Sequence, residues 1–174
     1  MKRLRTIIIA EAGVNHNGSL ELAKQLIDVA NDAGADFVKF QTFKSENLVT
    51  GVAELASYQK DGCDELNQLS MLKNLELSQV ELNEIYVYCN QVGIKFLSTP
   101  FDIDSLKMLD QYNMDYIKIA SGELTNYPLL FEVSKRNRPI ICSTGMSTVE
   151  EIKDALSVLT SNGTGKEMVT IMQC

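Results

Sequence analysis

The sequence predicts an α/β protein whose strands run parallel. Three observations lead there. Short runs of β-branched and aromatic residues alternate with longer stretches of helical spacing. The stretches between runs are long enough to hold helices, as parallel crossovers require. Polar residues gather just past the ends of the runs, where parallel α/β proteins place their active sites.

The elements follow in order. Thr6–Ala10 reads as a buried first strand that Glu11 ends. Leu20, Ala23, Leu26, Ile27, Ala30 and Ala33 share one helical face, with Ser19 as N-cap and Gly34 as stop. Asp36–Gln41 is the second strand. Residues 42–77 break the rhythm as a long connection, with a short helix around Glu65–Asn74. Ser78-Gln79-Val80-Glu81 is a capping box that opens a helix ended by Gly93. Ile94–Ser98 is the third strand, and Asp102 caps the helix after it. Tyr116–Ala120 is the fourth strand. Asn126 and Pro128 suit the first turn of the next helix. Pro139–Cys142 is the fifth strand, Ser147-Thr148-Val149-Glu150 opens the last helix, and Met168–Met172 is the sixth strand.

Two architectures fit this alternation: a doubly wound open sheet, or a (β/α)8 barrel. A barrel needs about eight strands, and the runs supply about six. The 174 residues suit one domain, and neither a linker nor a low-complexity tract divides them.

Composition narrows the function. With 45% hydrophobic residues the chain can build a core. A net charge of −7 argues against a nucleic-acid or anionic-membrane binder, since no basic surplus exists to displace counterions. It leaves room for a small anion held by a few lysines. Cys63, Cys89, Cys142 and Cys174 show no paired spacing and read as reduced, mostly buried thiols of a cytoplasmic protein. The basic start and the apolar run after it are too short for a signal peptide, and no segment reaches membrane-spanning length.

The strand ends carry the chemistry. Lys39 and Lys118 lie inside apolar strands, and a buried ammonium must be paired or lose its charge. A stem that snorkels to water explains one such lysine; two near strand ends and hydroxyls point to an anion site. Thr99, Ser121, Ser143 and Thr144 supply neutral donors on that rim, although turns also use these residue types. Glu11 and Glu123 either neutralise the lysines or move protons. The single histidine, His16, makes a thin metal site and is more simply satisfied by hydrogen bonds in its loop. Asn15, His16 and Asn17 are expected to line the mouth between the first strand and its helix.

Five ordered segments carry a resemblance: "IAEAGVNHNGS", "DFVKFQTF", "FLSTPFD", "YIKIASGELTNYPLL" and "PIICSTGMST". They resemble motifs of the N-acetylneuraminate (sialic acid) synthase family, which includes legionaminic and pseudaminic acid synthases. The resemblance covers nearly the whole chain and is weakest between residues 45 and 75. It implies a (β/α)8 TIM barrel, present here as its N-terminal part. It implies condensation of phosphoenolpyruvate with a 2-acetamido sugar such as N-acetylmannosamine, with release of phosphate and help from a divalent metal, Mn²⁺ or Mg²⁺. By the same resemblance, Lys39, Thr99 and Ser121 would hold the phosphate end and Lys118 the carboxylate side. Gln41 and Glu123 would face the sugar, with Glu11 at the floor of the site. The family's metal-binding histidines fall beyond Cys174. So do the rest of the barrel and a small antifreeze-like domain that reaches into a partner's site, which implies a homodimer at full length.

Overall fold

A computed structural model describes residues 5–55 and 67–174. The described elements are strands β1 (Ile9–Gly13), β2 (Phe37–Thr42), β3 (Lys95–Pro100), β4 (Ile117–Ile119), β5 (Ile140–Ser143) and β6 (Val169–Met172). The helices are α1 (Leu20–Asp32), α2 (Ser45–Leu48), α3 (Gln68–Leu75), α4 (Gln79–Val92), α5 (Ile103–Leu109), α6 (Tyr127–Ser134) and α7 (Val149–Thr160).

The strands form two three-stranded sheets, β1-β2-β3 and β4-β5-β6, where the sequence reading expects one. The pairings β1–β2, β4–β5 and β5–β6 are parallel. Two compact units result: residues 1–41 with 45–97, and residues 42–44 with 98–174.

In the first unit, β1 starts later than its hydropathy suggests. Ile7 and Ile8 are about half exposed, at 49% and 52%, and the strand runs on to Gly13. Pairing decides this: Ile9 faces Phe37, Ala10 faces Val38 and Glu11 faces Lys39. Glu11 is therefore inside the strand and does not end it. On β2, Val38 and Phe40 alternate with Lys39 and Gln41, so they take opposite faces of the sheet. Phe40 stacks on Phe96 with ring centroids 6.2 Å apart, and Tyr86 meets Phe96 edge-on at 5.7 Å. Helices α1 and α4 pack on each other. Each is capped as its sequence implies. Ser19 Oγ accepts from Leu22 N–H, the Ser78/Glu81 box is fully formed, and Gly93 takes the left-handed turn that ends α4. The expected helix of the long connection lies at Gln68–Leu75 with Asn67 as its N-cap; Glu65 and Leu66 of that expected helix, and Cys63, fall outside the described residues.

In the second unit, Ile117, Ile119, Ile140 and Cys142 point to the helix side of their sheet. They pack with Leu124, Leu129, Leu130, Val133, Ala155 and Leu159 into one core. Lys118 and Ser143 alternate with these residues and therefore share the other face. Asp102 caps α5 through Ser105 N–H at 2.9 Å, and Asn126 caps α6 through Leu129 N–H at 3.3 Å. Helix α7 opens on a box made by Thr148 and Glu151, one residue later than the Ser147–Glu150 reading. Among the described residues Cys89 and Cys142 are buried, in keeping with mostly buried thiols, and Cys174 is exposed. Burial pushes the Cys89 thiol up to about 12 and the Cys142 thiol to about 11, so neither is a nucleophile at neutral pH.

Candidate active site

Each unit gathers polar groups at the carboxyl ends of its strands. In the first, Lys39 is buried and its ammonium forms an ion pair with Glu11, its partner across the β1–β2 ladder. Glu11 is half exposed, so it meets water on one side and Lys39 on the other. A bulge separates Glu11 from Gly13. Gly13 has φ +56°, and a Cβ there would lie 3.2 Å from Glu11 Oε1 and 3.5 Å from Gln41 Nε2. Glycine thus gives both the bend and the space in which the Glu11 and Gln41 head groups meet. Glu11, Lys39 and Gln41 form one cluster able to hold an anion or a hydroxylated ligand.

The loop after β1 departs from expectation. Asn15 and Asn17 are exposed, but His16 is 0% exposed and does not line an open mouth. Its ring is tilted against Phe40, with centroids 6.2 Å apart, and Phe40 is on the face away from Lys39. Its Nδ1 accepts from Gly18 N–H at 3.1 Å, which closes the turn into α1. That bond leaves Nε2 carrying the proton, and Nε2 has no hydrogen-bond partner among the described residues. Burial lowers the His16 pKa from its usual 6.5, with the charge of Glu81 acting the other way. The ring is held neutral inside the core.

In the second unit, Lys118 is 5% exposed. Its Nζ donates to Ser143 Oγ at 2.6 Å and to the Ile119 carbonyl at 2.7 Å. Ser121 sits in the helical turn Ser121–Glu123 that follows β4. A Cβ placed on Gly145 would lie 3.4 Å from Ser121 Oγ and 3.3 Å from Cys174 Sγ, so these groups converge on the turn after β5. Glu123, in the same turn as Ser121, accepts from Asn126 Nδ2 at 2.7 Å, which ties its carboxylate to the cap of α6. Thr99 is 2% exposed, and its hydroxyl has no partner among the described residues. A buried hydroxyl in that state is a donor available to a ligand or a bound water.

Cys174 is the residue of this cluster that the sequence reading missed. Its thiol pKa is lowered by N–H groups of Gly145 and Thr144, by the Ser143 hydroxyl and by the charge of Lys118. Its place two residues past β6, level with the Ser143-Thr144-Gly145 segment at the end of β5, is the signal that could have found it. Among the described residues no three of His, Cys, Asp and Glu come together to hold a metal ion. With His16 buried and committed to Gly18, the described residues do not fit a divalent cation. Among the described residues, no helix is long and apolar enough to cross a membrane.

Lys39, Lys118, Glu123 and the strand-end hydroxyls fall within a match to the NeuB family over residues 26–174. The chain belongs to the NeuB family. As a NeuB-family chain it is 47% identical over 171 residues to the N,N'-diacetyllegionaminic acid synthase of Campylobacter jejuni, covering 98% of this chain and 51% of that protein. It is 31% identical to the human N-acetylneuraminate-9-phosphate synthase over 87% of this chain and 42% of that protein. The chain spans about half the length of the curated relatives it matches. Among solved structures, it matches the N-acetylneuraminic acid synthetase of Leptospira borgpetersenii, crystallised with citrate. The TM-score is 0.79 at 27% identity, over 100% of this chain and 57% of that one. A phospho-2-dehydro-3-deoxyheptonate aldolase (DAHP synthase) of Thermotoga maritima shares the fold at TM-score 0.66 and 16% identity. These neighbours are (β/α)8 barrel enzymes, which favours the barrel over the doubly wound alternative.

Proposed function

We propose that this NeuB-family protein condenses phosphoenolpyruvate with N-acetylmannosamine or a related 2-acetamido sugar, giving a nonulosonic acid and phosphate. The observation that carries the reading is the buried Lys118 ammonium bonded to the Ser143 hydroxyl at a strand end. Such a donor set suits a small, highly charged anion. The names of the relatives, legionaminic and N-acetylneuraminate-9-phosphate synthases, support the product class.

In this reading the enol carbon of phosphoenolpyruvate attacks the open-chain aldehyde of the sugar. Positive character develops at the carbon bearing phosphate, water adds there, and phosphate leaves. Lys118 takes the carboxylate side, and Thr99 and Ser121 take phosphate oxygens. In the first unit, Lys39, ion-paired with Glu11, is a cation for an anionic oxygen, and Gln41 is a partner for sugar hydroxyls. Glu123 is the proton-transfer group near the sugar, with its carboxylate oriented by Asn126. Fixed donors of this kind stabilise charge as it develops, without having to reorganise. A divalent cation belongs to the proposal, with ligands from outside the described residues, and no step is assigned to it. The barrel completed by further chain, a homodimer and a cytoplasmic setting belong to it too.

The test incubates the protein with phosphoenolpyruvate, Mn²⁺ and a panel of 2-acetamido sugars. Phosphate release is followed, and the product is identified by mass. Sugar-dependent phosphate release supports the proposal. Phosphate binding without turnover on any sugar would leave a non-catalytic anion-binding chain and refute it.

A further inference from the structure

The turn between β5 and α7 holds a residue that its own backbone disfavours. Ser147 N–H closes onto the Thr144 carbonyl at 3.2 Å, with Gly145 and Met146 at the corner. Met146 has φ +62°. The third position of such a turn normally takes glycine or asparagine, because a Cβ there crowds the following carbonyl. The other non-glycine residues with positive φ among the described residues are Asn17 and Asn137, whose short polar side chains tolerate it. Methionine does not have that excuse. Packing does not hold it either, because Met146 is 98% exposed. A strained position that neither propensity nor packing explains is a candidate for function.

Its surroundings say which function. Gly145, one residue earlier, borders Ser121 Oγ and Cys174 Sγ, and Ser143 accepts from Lys118. Adjacent Cα atoms are about 3.8 Å apart, so the Met146 side chain starts beside this cluster. The groups named there, apart from the Cys174 thiol, are charged or hydroxylic. A 2-acetamido sugar is itself hydroxylic except for one methyl group. An unbranched thioether adapts its shape to such a methyl. We infer that Met146 is a specificity-determining contact for the acetamido methyl of the sugar, an inference that rests on the condensation reading above.

The test labels methionine methyl groups with ¹³C in the 174-residue chain and follows them by NMR. The Met146 signal is assigned by its loss in Met146→Asn, a change the backbone accepts. Phosphate is added first, then N-acetylmannosamine, with mannose as the control lacking an acetamido group. The expected result is that N-acetylmannosamine moves the Met146 methyl and mannose does not. Met146→Asn should weaken N-acetylmannosamine about fourfold, the worth of one buried methyl group. It should leave phosphate affinity unchanged and its melting temperature equal to the parent or higher. If phosphate binds but N-acetylmannosamine leaves Met146 unmoved, or moves it no more than mannose does, the inference falls and the condensation reading stands. If phosphate does not bind either, both fall.

Discussion

Lys118→Met removes one ammonium and keeps most of the aliphatic stem. In the native chain the ammonium is buried and donates to Ser143 Oγ at 2.6 Å and to the Ile119 carbonyl at 2.7 Å. A hydrogen bond from a charged donor contributes about 1.5–3 kcal/mol. If Lys118 meets an anionic oxygen of the ligand, its loss should weaken binding about 10- to 150-fold. Stability should change less. Two acceptors lose a donor, but a buried charge goes with it, so the net cost is at most about 1.5 kcal/mol. For a chain of this size that lowers the melting temperature by no more than about 3–6 °C. Calorimetry with inorganic phosphate and with phosphoenolpyruvate at low ionic strength reads the first effect, and thermal melts the second. Ser143→Ala keeps the ammonium and removes one of its acceptors, so it should cost less than about tenfold. Phosphate and phosphoenolpyruvate affinities that both stay within about twofold of the parent in Lys118→Met, with a normal melt, would refute the reasoning.

Three further expectations follow. Glu123→Gln keeps an acceptor for Asn126, so the cap of α6 survives; turnover should fall far more than phosphoenolpyruvate affinity, and turnover within a few-fold of the parent would make Glu123 an orienting group only. Because burial depresses the His16 pKa, the fold prefers the neutral ring: its contribution is whole above pH 6.5 and is lost as pH falls through the folded-state value. Melts between about pH 5 and pH 8 should show a slope that His16→Gln removes, and identical profiles for the two proteins would contradict a buried neutral imidazole. Gly18→Ala should be severe, because φ is +73° and the new Cβ would lie 2.1 Å from the Asn74 carbonyl oxygen. A loss of about 2 kcal/mol or more is expected by chemical denaturation. Gly34→Ala has the same φ and open space around it, so it should cost only about 1 kcal/mol.

What could be read from the sequence was local, and what could not was set by distant pairing. Ser19, Ser78, Asp102 and Asn126 cap their helices because a side-chain oxygen reaches an N–H within three residues, and that spacing is written in the chain. The start of β1 was misplaced because Ile7 and Ile8 look like strand, while the ladder to β2 decides where the strand begins. Glu11 and Lys39 were each singled out, but their pairing depends on the register of two strands. His16 was expected at the mouth; its proximity to Phe40 depends on how its loop folds back over β2. Cys174 joins Ser121 only because β6 pairs with β5 and brings the far end of the chain to Gly145. The division of the strands into two sheets had no hydropathy signature at all.

The Glu11–Lys39 pair also guards the assembly of its own sheet. The two residues face each other across β1 and β2, where each step along a strand reverses the side on which a side chain falls. A slip by one residue would set Glu11 against Val38 or Phe40 and leave the ammonium with no opposite charge, an arrangement that a dry interior penalises heavily. Mispaired chains are thus rejected by the same two charges that equip the strand ends for chemistry. Descendants of this protein therefore cannot freely trade one of the two away. A change at Glu11 leaves the buried Lys39 without its carboxylate, whereas Glu11 keeps its contact with water if Lys39 changes, so the constraint falls chiefly on Glu11.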